Sequence, residues 1–227
     1  MRPSSPHFFP LAAPIVVAFF LVLVLVVGFI EVGAIGYAYE KIGIDRRHAY
    51  TLLLLSLIGS YVNIPVAELP AEPMMSGRIV EYFGMRWVVP AVEEWPRTIV
   101  AVNLGGAIVP TLVSLYLLVH TGMPVRAGIG VAVVAAIVHA VARPLPGLGI
   151  VVPTLVPPLA AAAVALVLSR DSAPALAYVA GSLGTLIGAD LLNLGRIQGL
   201  GAPILSIGGA GTFDGIFLTG ILAVLLA

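Results

Sequence analysis

From Leu11 to Tyr37 the chain runs for about 27 residues with one charged side chain, Glu31, and comparable apolar runs recur to the C-terminus. These runs lack the period-2 alternation of a lipid-facing barrel strand. A backbone in hydrocarbon must satisfy its own hydrogen bonds, so the runs predict helices that cross a bilayer. Composition agrees: 60% hydrophobic residues, 10% charged residues and a mean hydropathy of +1.11 exclude a water-soluble globular surface. The expectation is an all-α integral membrane protein of about seven transmembrane helices, some broken, forming one domain over residues 1–227 with the lipid bilayer as its first partner. Zero net charge and a pI near 6.9 give no footprint for nucleic acid, and the absence of cysteine removes disulfide and thiol chemistry.

The first run is read as a helix and not as a cleaved signal peptide, because Glu31 and helix-compatible sequence continue past it where a small-residue cleavage site would stand. A basic turn with Lys41, Arg46 and Arg47 leads to a second span, residues 50–66, which Asn63-Ile64-Pro65 should break near its end. Residues 67–98 carry most of the glutamates and are expected to form an ordered extramembrane loop. Within that loop Arg78 to Val89, β-branched and aromatic around Gly84, reads as a small hairpin, and Trp87 and Trp95 suit a membrane–water interface.

Further spans are expected over 99–119, with Asn103 and Pro110, and over 125–142, with His139. The breaker-rich Arg143 to Gly149 reads as a re-entrant or wide connecting loop before a span over 150–168 that holds Pro153, Pro157 and Pro158. The last two segments, 175–194 and 202–227, hold Asp190 and Asp214. Lys and Arg in the turns at 41–47, 126 and 170 place those turns in the cytoplasm and the N-terminus outside. No internal repeat is visible.

The two aspartates demand an account, because an ionisable group at mid-helix costs roughly 2.5–3.5 kcal/mol on insertion scales. Asp190 stands about one turn before the end of its helix at Leu194. Asp214 follows Gly208-Gly209-Ala210-Gly211-Thr212, where irregular backbone should end and a helix begin near Phe213, with Thr212 as N-cap. A short connection lets both carboxylates meet on neighbouring antiparallel segments. Two carboxylates about 3 Å apart in a low-dielectric site share a proton, so that one activates water while the other polarises a carbonyl. The alternative is that each aspartate caps a broken helix or bonds to Asn193, Thr185 or Thr219. His139 with both aspartates would offer one imidazole and two carboxylates to a metal, but a lone histidine at lipid depth is more often a helix–helix hydrogen-bonding residue, so no metal and no cofactor is expected. Glu31 reads as either an interior partner or an interfacial group, Arg143 as a snorkelling cation, and Asn63 and Asn103 as interhelical hydrogen-bonding residues.

Gly188-Ala189-Asp190-Leu191-Leu192 and Gly209-Ala210-Gly211-Thr212-Phe213-Asp214-Gly215-Ile216-Phe217 resemble the paired motifs of intramembrane aspartyl proteases, the presenilin and signal peptide peptidase group. The resemblance implies Asp190 and Asp214 as the catalytic pair, supported by Gly209, Gly211, Thr212, Asn193, Asn63 and Pro65, and a membrane-embedded peptide as substrate. The chain departs from that pattern in three places. Ala189 replaces a tyrosine, Thr212 and Phe213 intervene before Asp214, and a downstream Pro-Ala-Leu motif does not follow. The whole chain also resembles an uncharacterised family of archaeal and bacterial multi-span membrane proteins ending in this glycine-rich stretch, which implies the cell membrane of a prokaryote. Two functions follow as expectations: an intramembrane aspartyl protease, or a secondary transporter whose broken helices bind a solute while the aspartates carry protons or cations.

Overall fold

The computed structural model describes residues 21, 24, 28, 32–70, 79–82, 85–88, 97–145, 149–196, 204–209 and 215–227. Glu31, Trp95, Gly211, Thr212 and Asp214 lie outside them. Seven helices are present among the described residues: α1 (helical through 32–41), α2 (Arg46–Gly59), α3 (Val109–Thr121), α4 (Pro124–Val141), α5 (Val156–Leu168), α6 (Ala173–Thr185) and α7 (Gly215–Leu226). Among the described residues three helical stretches are long and apolar enough to cross a membrane: Leu104–Thr121, Pro124–Val141 and Ala173–Arg196. The shorter α5 and α7 are also apolar, and at 1.5 Å per residue each extends only about 20 Å. Large apolar side chains such as Leu112, Val119, Val125, Leu159 and Val167 face outward, an exterior compatible with a membrane protein.

The all-α expectation is corrected by three small sheets among the described residues. β1 (Asn63–Pro70), β4 (Arg97–Asn103) and β7 (Ile204–Ile207) form one sheet in the order β1-β4-β7, antiparallel on one side of β4 and parallel on the other. β2 (Ile79–Tyr82) and β3 (Met85–Val88) form the hairpin expected around Gly84. β5 (Arg143–Leu145) and β6 (Gly149–Val151) form a second hairpin where a re-entrant or wide loop was expected.

Local chemistry explains the sheet. Thr98-Ile99-Val100-Ala101-Val102 is β-branched at four of five positions, and that crowding favours a pleated strand over a helix. Pro65, expected to break a helix, instead sits on the edge strand at a register shift between Pro65 and Ala67, where a missing N–H costs the ladder little. The outer end of β1 and β4 carries an exposed ion pair, Glu68 with Arg97 at 2.8 Å.

Around the sheet, the helices pack through small residues. A Cβ on Gly130 would stand 3.2 Å from Ala180, one on Gly184 would stand 2.7 Å from Val134, and one on Gly188 would meet the Ala135 backbone and Val138. The four-residue stride on both partners makes α4 and α6 parallel and brings their backbones close. Gly181 meets Thr219 and Ala223, and Gly220 meets Ser182 and Tyr178; Lys41, two residues after the Tyr39 whose ring lies 6.3 Å from that of Tyr178, bonds the Val224 carbonyl, so the end of α7 lies by the start of α6 and the two helices are antiparallel. The core between these helices is largely alanine and valine, with Tyr39, Tyr178 and Phe217 as its largest fully buried side chains.

Candidate functional site

Three segments of the chain change conformation at one level. α2 ends at Gly59 and β1 starts at Asn63; β4 ends at Asn103 and continues as a π-helical turn, Leu104–Ile108; β7 ends at Ile207 and turns through Gly208 and Gly209, with φ of 86° and 92°. The register pairs Asn63 with Asn103 and Val102 with Ile207, so Asn103 and Gly208 are the next residues at the same level.

Backbone groups released at such transitions need partners, and polar side chains supply them. Asn103, 1% exposed, is the centre. Its Nδ2 donates to the Ser60 carbonyl at 2.7 Å and to Asn63 Oδ1 at 3.0 Å, while its Oδ1 accepts the Gly106 N–H at 2.8 Å and caps the π turn. Ser206 Oγ of β7 also donates to Asn63 Oδ1. Two residues on, the Gly208 N–H donates to Asp190 Oδ2 at 2.9 Å. One hydrogen-bonded cluster therefore joins the end of α2 to both edges of the sheet, and the turn that follows Ser206 carries the N–H that binds the aspartate.

Asp190 occupies the last position of a second π-helical turn, Leu186–Asp190, which follows α6 directly and leads into a 3-10 turn, Leu191–Arg196. Asn193, fully buried, holds that junction: its Nδ2 donates to the Gly188 and Ala189 carbonyls at 3.0 and 2.9 Å. Asn193 thus binds the backbone that presents Asp190. Because α7 is antiparallel to α6, its first residue, Gly215, lies at the end of the pair that carries the Leu186–Asp190 turn.

Of the sequence-derived site residues, the structure brings together Asp190, Asn193, Asn63 and the Gly208-Gly209 turn. Pro65 lies further along β1, opposite Ala101. Asp214, Gly211 and Thr212 lie outside the described residues. Among the described residues no three His, Asp or Glu side chains gather as metal ligands; His139 is half-buried and Arg143 exposed.

Sequence reasoning missed Ser60, Ser206 and Gly106 as partners, and it missed a repetition. β4 with its following turn and α3, and β7 with its following turn and α7, are two parallel strand-to-helix units side by side. The available signal was Gly105-Gly106-Ala107 and Gly208-Gly209-Ala210, each just after a short β-branched or aliphatic run.

Asn103→Ala leaves the Ser60 carbonyl and the Gly106 N–H without their side-chain partner. Stability is expected to fall by about 2–3 kcal/mol, two unsatisfied buried groups at the usual cost. The midpoint of unfolding in mixed micelles measures it.

A family model described as "Protein of unknown function (DUF1614)" matches residues 57–226. No curated protein and no solved structure matches the chain.

Proposed function

We propose, from the premise that this chain belongs to the DUF1614 family and that the family model takes in both aspartates and the whole polar junction, that it is an intramembrane aspartyl hydrolase. In this reading it is a protein of about seven spans in a prokaryotic cell membrane, and it cuts a peptide bond of a membrane-embedded substrate. The observation that carries the proposal is the setting of Asp190. Its carboxylate is held by the Gly208 N–H at 2.9 Å, at the end of α6 that lies beside the start of α7, and Asp214 immediately precedes α7 in the chain.

The chemistry follows from two carboxylates sharing one proton. The ionised member takes a proton from water as the water oxygen bonds to the peptide carbonyl carbon. The protonated member gives its proton to the carbonyl oxygen. Collapse of the resulting diol breaks the C–N bond: the first carboxyl gives its proton to the departing nitrogen, one diol hydroxyl gives its proton to the second carboxylate as the new carbonyl forms, and the pair is left with the single proton it began with. The residues around the site serve positioning: Asn193 holds the turn that ends in Asp190, and Asn103 holds the level at which the three segments break.

A secondary transporter is the second reading, favoured by the coincidence of three breaks at one level and by the paired strand-to-helix units. One preparation tests both. The full chain reconstituted in vesicles with a transmembrane peptide is expected to yield cleaved fragments by mass spectrometry. Solute-dependent proton uptake with intact peptide would replace the hydrolase by the transporter.

A further inference from the structure

The end of α2 is pressed against the π turn that leads into α3. A Cβ on Gly59 would stand 2.9 Å from the Gly105 backbone nitrogen, and one on Gly105 would run into the Ser56 carbonyl oxygen. Toward the start of α2 the two helices part around a cavity of about 540 Å³. It is lined from α2 and its cap by Asp45, His48 and Leu52, and from α3 by Leu112, Val113 and Tyr116. A space of this size holds a sizeable organic group, since ligand cavities run from about 300 to 1,000 Å³.

The lining is divided by polarity. Val113 is 4% exposed and Ile44, from the turn before α2, is 8% exposed; with Leu52 they make an apolar interior. Asp45 and His48 are exposed on one side of the mouth, and Leu112 and Tyr116 on the other. The same end of α2 carries the exposed ion pair of Glu40 with Arg46 at 2.8 Å, whereas Leu54, Leu55 and Ile58 are exposed farther along the helix. Charge followed by exposed aliphatic side chains marks the passage from headgroup level to hydrocarbon. A void there forfeits the dispersion contacts of its lining, and an acyl chain is the apolar group at hand.

The mouth specifies the headgroup. Asp45 Oδ1 accepts the Arg47 N–H at 2.9 Å as the N-cap of α2, and Oδ2 has no partner among the described residues. The His48 ring, which presents an N–H in either charge state, is likewise unpartnered among them. Three residues apart, these side chains are neighbours about 5–6 Å from each other. A phosphate alone would face the Asp45 charge, and Arg46 is already engaged by Glu40. A headgroup with an ammonium two carbons from its phosphate satisfies both sides.

We propose that this cleft binds one phospholipid with a primary-amine headgroup, its acyl chain between α2 and α3, its ammonium on Asp45 and its phosphate at His48. The site is independent of what Asp190 does.

Native mass spectrometry of the full chain tests it, with the protein drawn from micelles holding equal amounts of phosphatidylethanolamine, phosphatidylcholine and phosphatidylglycerol of the same acyl chains. One phosphatidylethanolamine is expected to stay bound as loosely held lipid is stripped. Its preference over phosphatidylcholine, whose ammonium has no N–H, should be about tenfold, the worth of one charge-assisted hydrogen bond. Asp45→Asn keeps an oxygen to cap α2 and loses the charge, so that preference should vanish while the fold stands. Leu112→Trp should fill the mouth and expel the lipid, and Val167→Trp, on exposed α5 surface, should change nothing. Equal retention of the three lipids overturns the proposal, as does preference for phosphatidylglycerol or phosphatidylcholine, or a phosphatidylethanolamine preference that survives Asp45→Asn. Loss of lipid from Val167→Trp as great as from Leu112→Trp also overturns it. If Leu112→Trp fails to fold, Asp45→Asn decides alone.

Discussion

Asp190→Asn is expected to lower cleavage of a membrane-embedded peptide by about 10²- to 10⁴-fold, the usual contribution of a positioned acid or base, while the protein folds normally. The substitution keeps the shape and an acceptor oxygen for the Gly208 N–H, so the 2.9 Å hydrogen bond that ties α6 to the β7 turn survives. It removes the ability to take or give a proton at pH 7. Asp214→Asn should reduce activity to the same floor, and the double variant should fall no further, because two groups that share one proton fail as a unit. The measurement is the rate of fragment release with peptide in excess, beside the unfolding midpoint of each variant. Normal cutting by either single variant rules out the pair.

Gly208→Ala is expected to affect both fold and site. Its φ of 86° lies in the left-handed region, which costs an L-residue roughly 1–2 kcal/mol. A Cβ there would stand 2.6 Å from both the Cβ and the backbone nitrogen of Ala107, and such overpacking typically costs about 1–3 kcal/mol. Together these predict a loss of about 3 kcal/mol in micelle unfolding. The neighbour that must give way is backbone of the π turn capped by Asn103, so the strain spreads into the level that carries the polar junction. The Gly208 N–H would move away from Asp190, and cleavage should fall even at temperatures where the variant remains folded. A variant as stable and as active as the parent would mean that this turn neither packs against the β4 unit nor positions the aspartate.

Much of the helical frame was legible because it depends on local properties. α4 and the Ala173–Arg196 stretch follow the expected spans within a few residues, since hydropathy and length are additive along the chain. The hairpin around Gly84 was legible from β-branched and aromatic residues flanking a glycine. The strands at 63–70 and 97–103 were not, because an apolar run long enough for a helix conceals a half that is β-branched. What makes that half a strand is a partner more than a hundred residues away, β7 beside β4. The polar residues were visible but not their pairing: Asn63 and Asn103 read as interhelical links, whereas they meet across an antiparallel register and Asn103 caps the π turn that follows it.

The chain by itself determined that long apolar helices dominate this protein and that Asp190 stands near the end of one of them, because hydrophobicity and helix-breaking residues act on their own neighbourhood. Tertiary structure alone decided that three segments break at one level, that Asn103 and Gly208 are brought to that level, and that Asp190, at the end of a π turn after α6, meets the Gly208 N–H there. Those outcomes rest on strand pairing, on close approach at glycine and on the i to i+5 bonding of a single turn, each of which depends on what packs against the segment as well as on its own sequence.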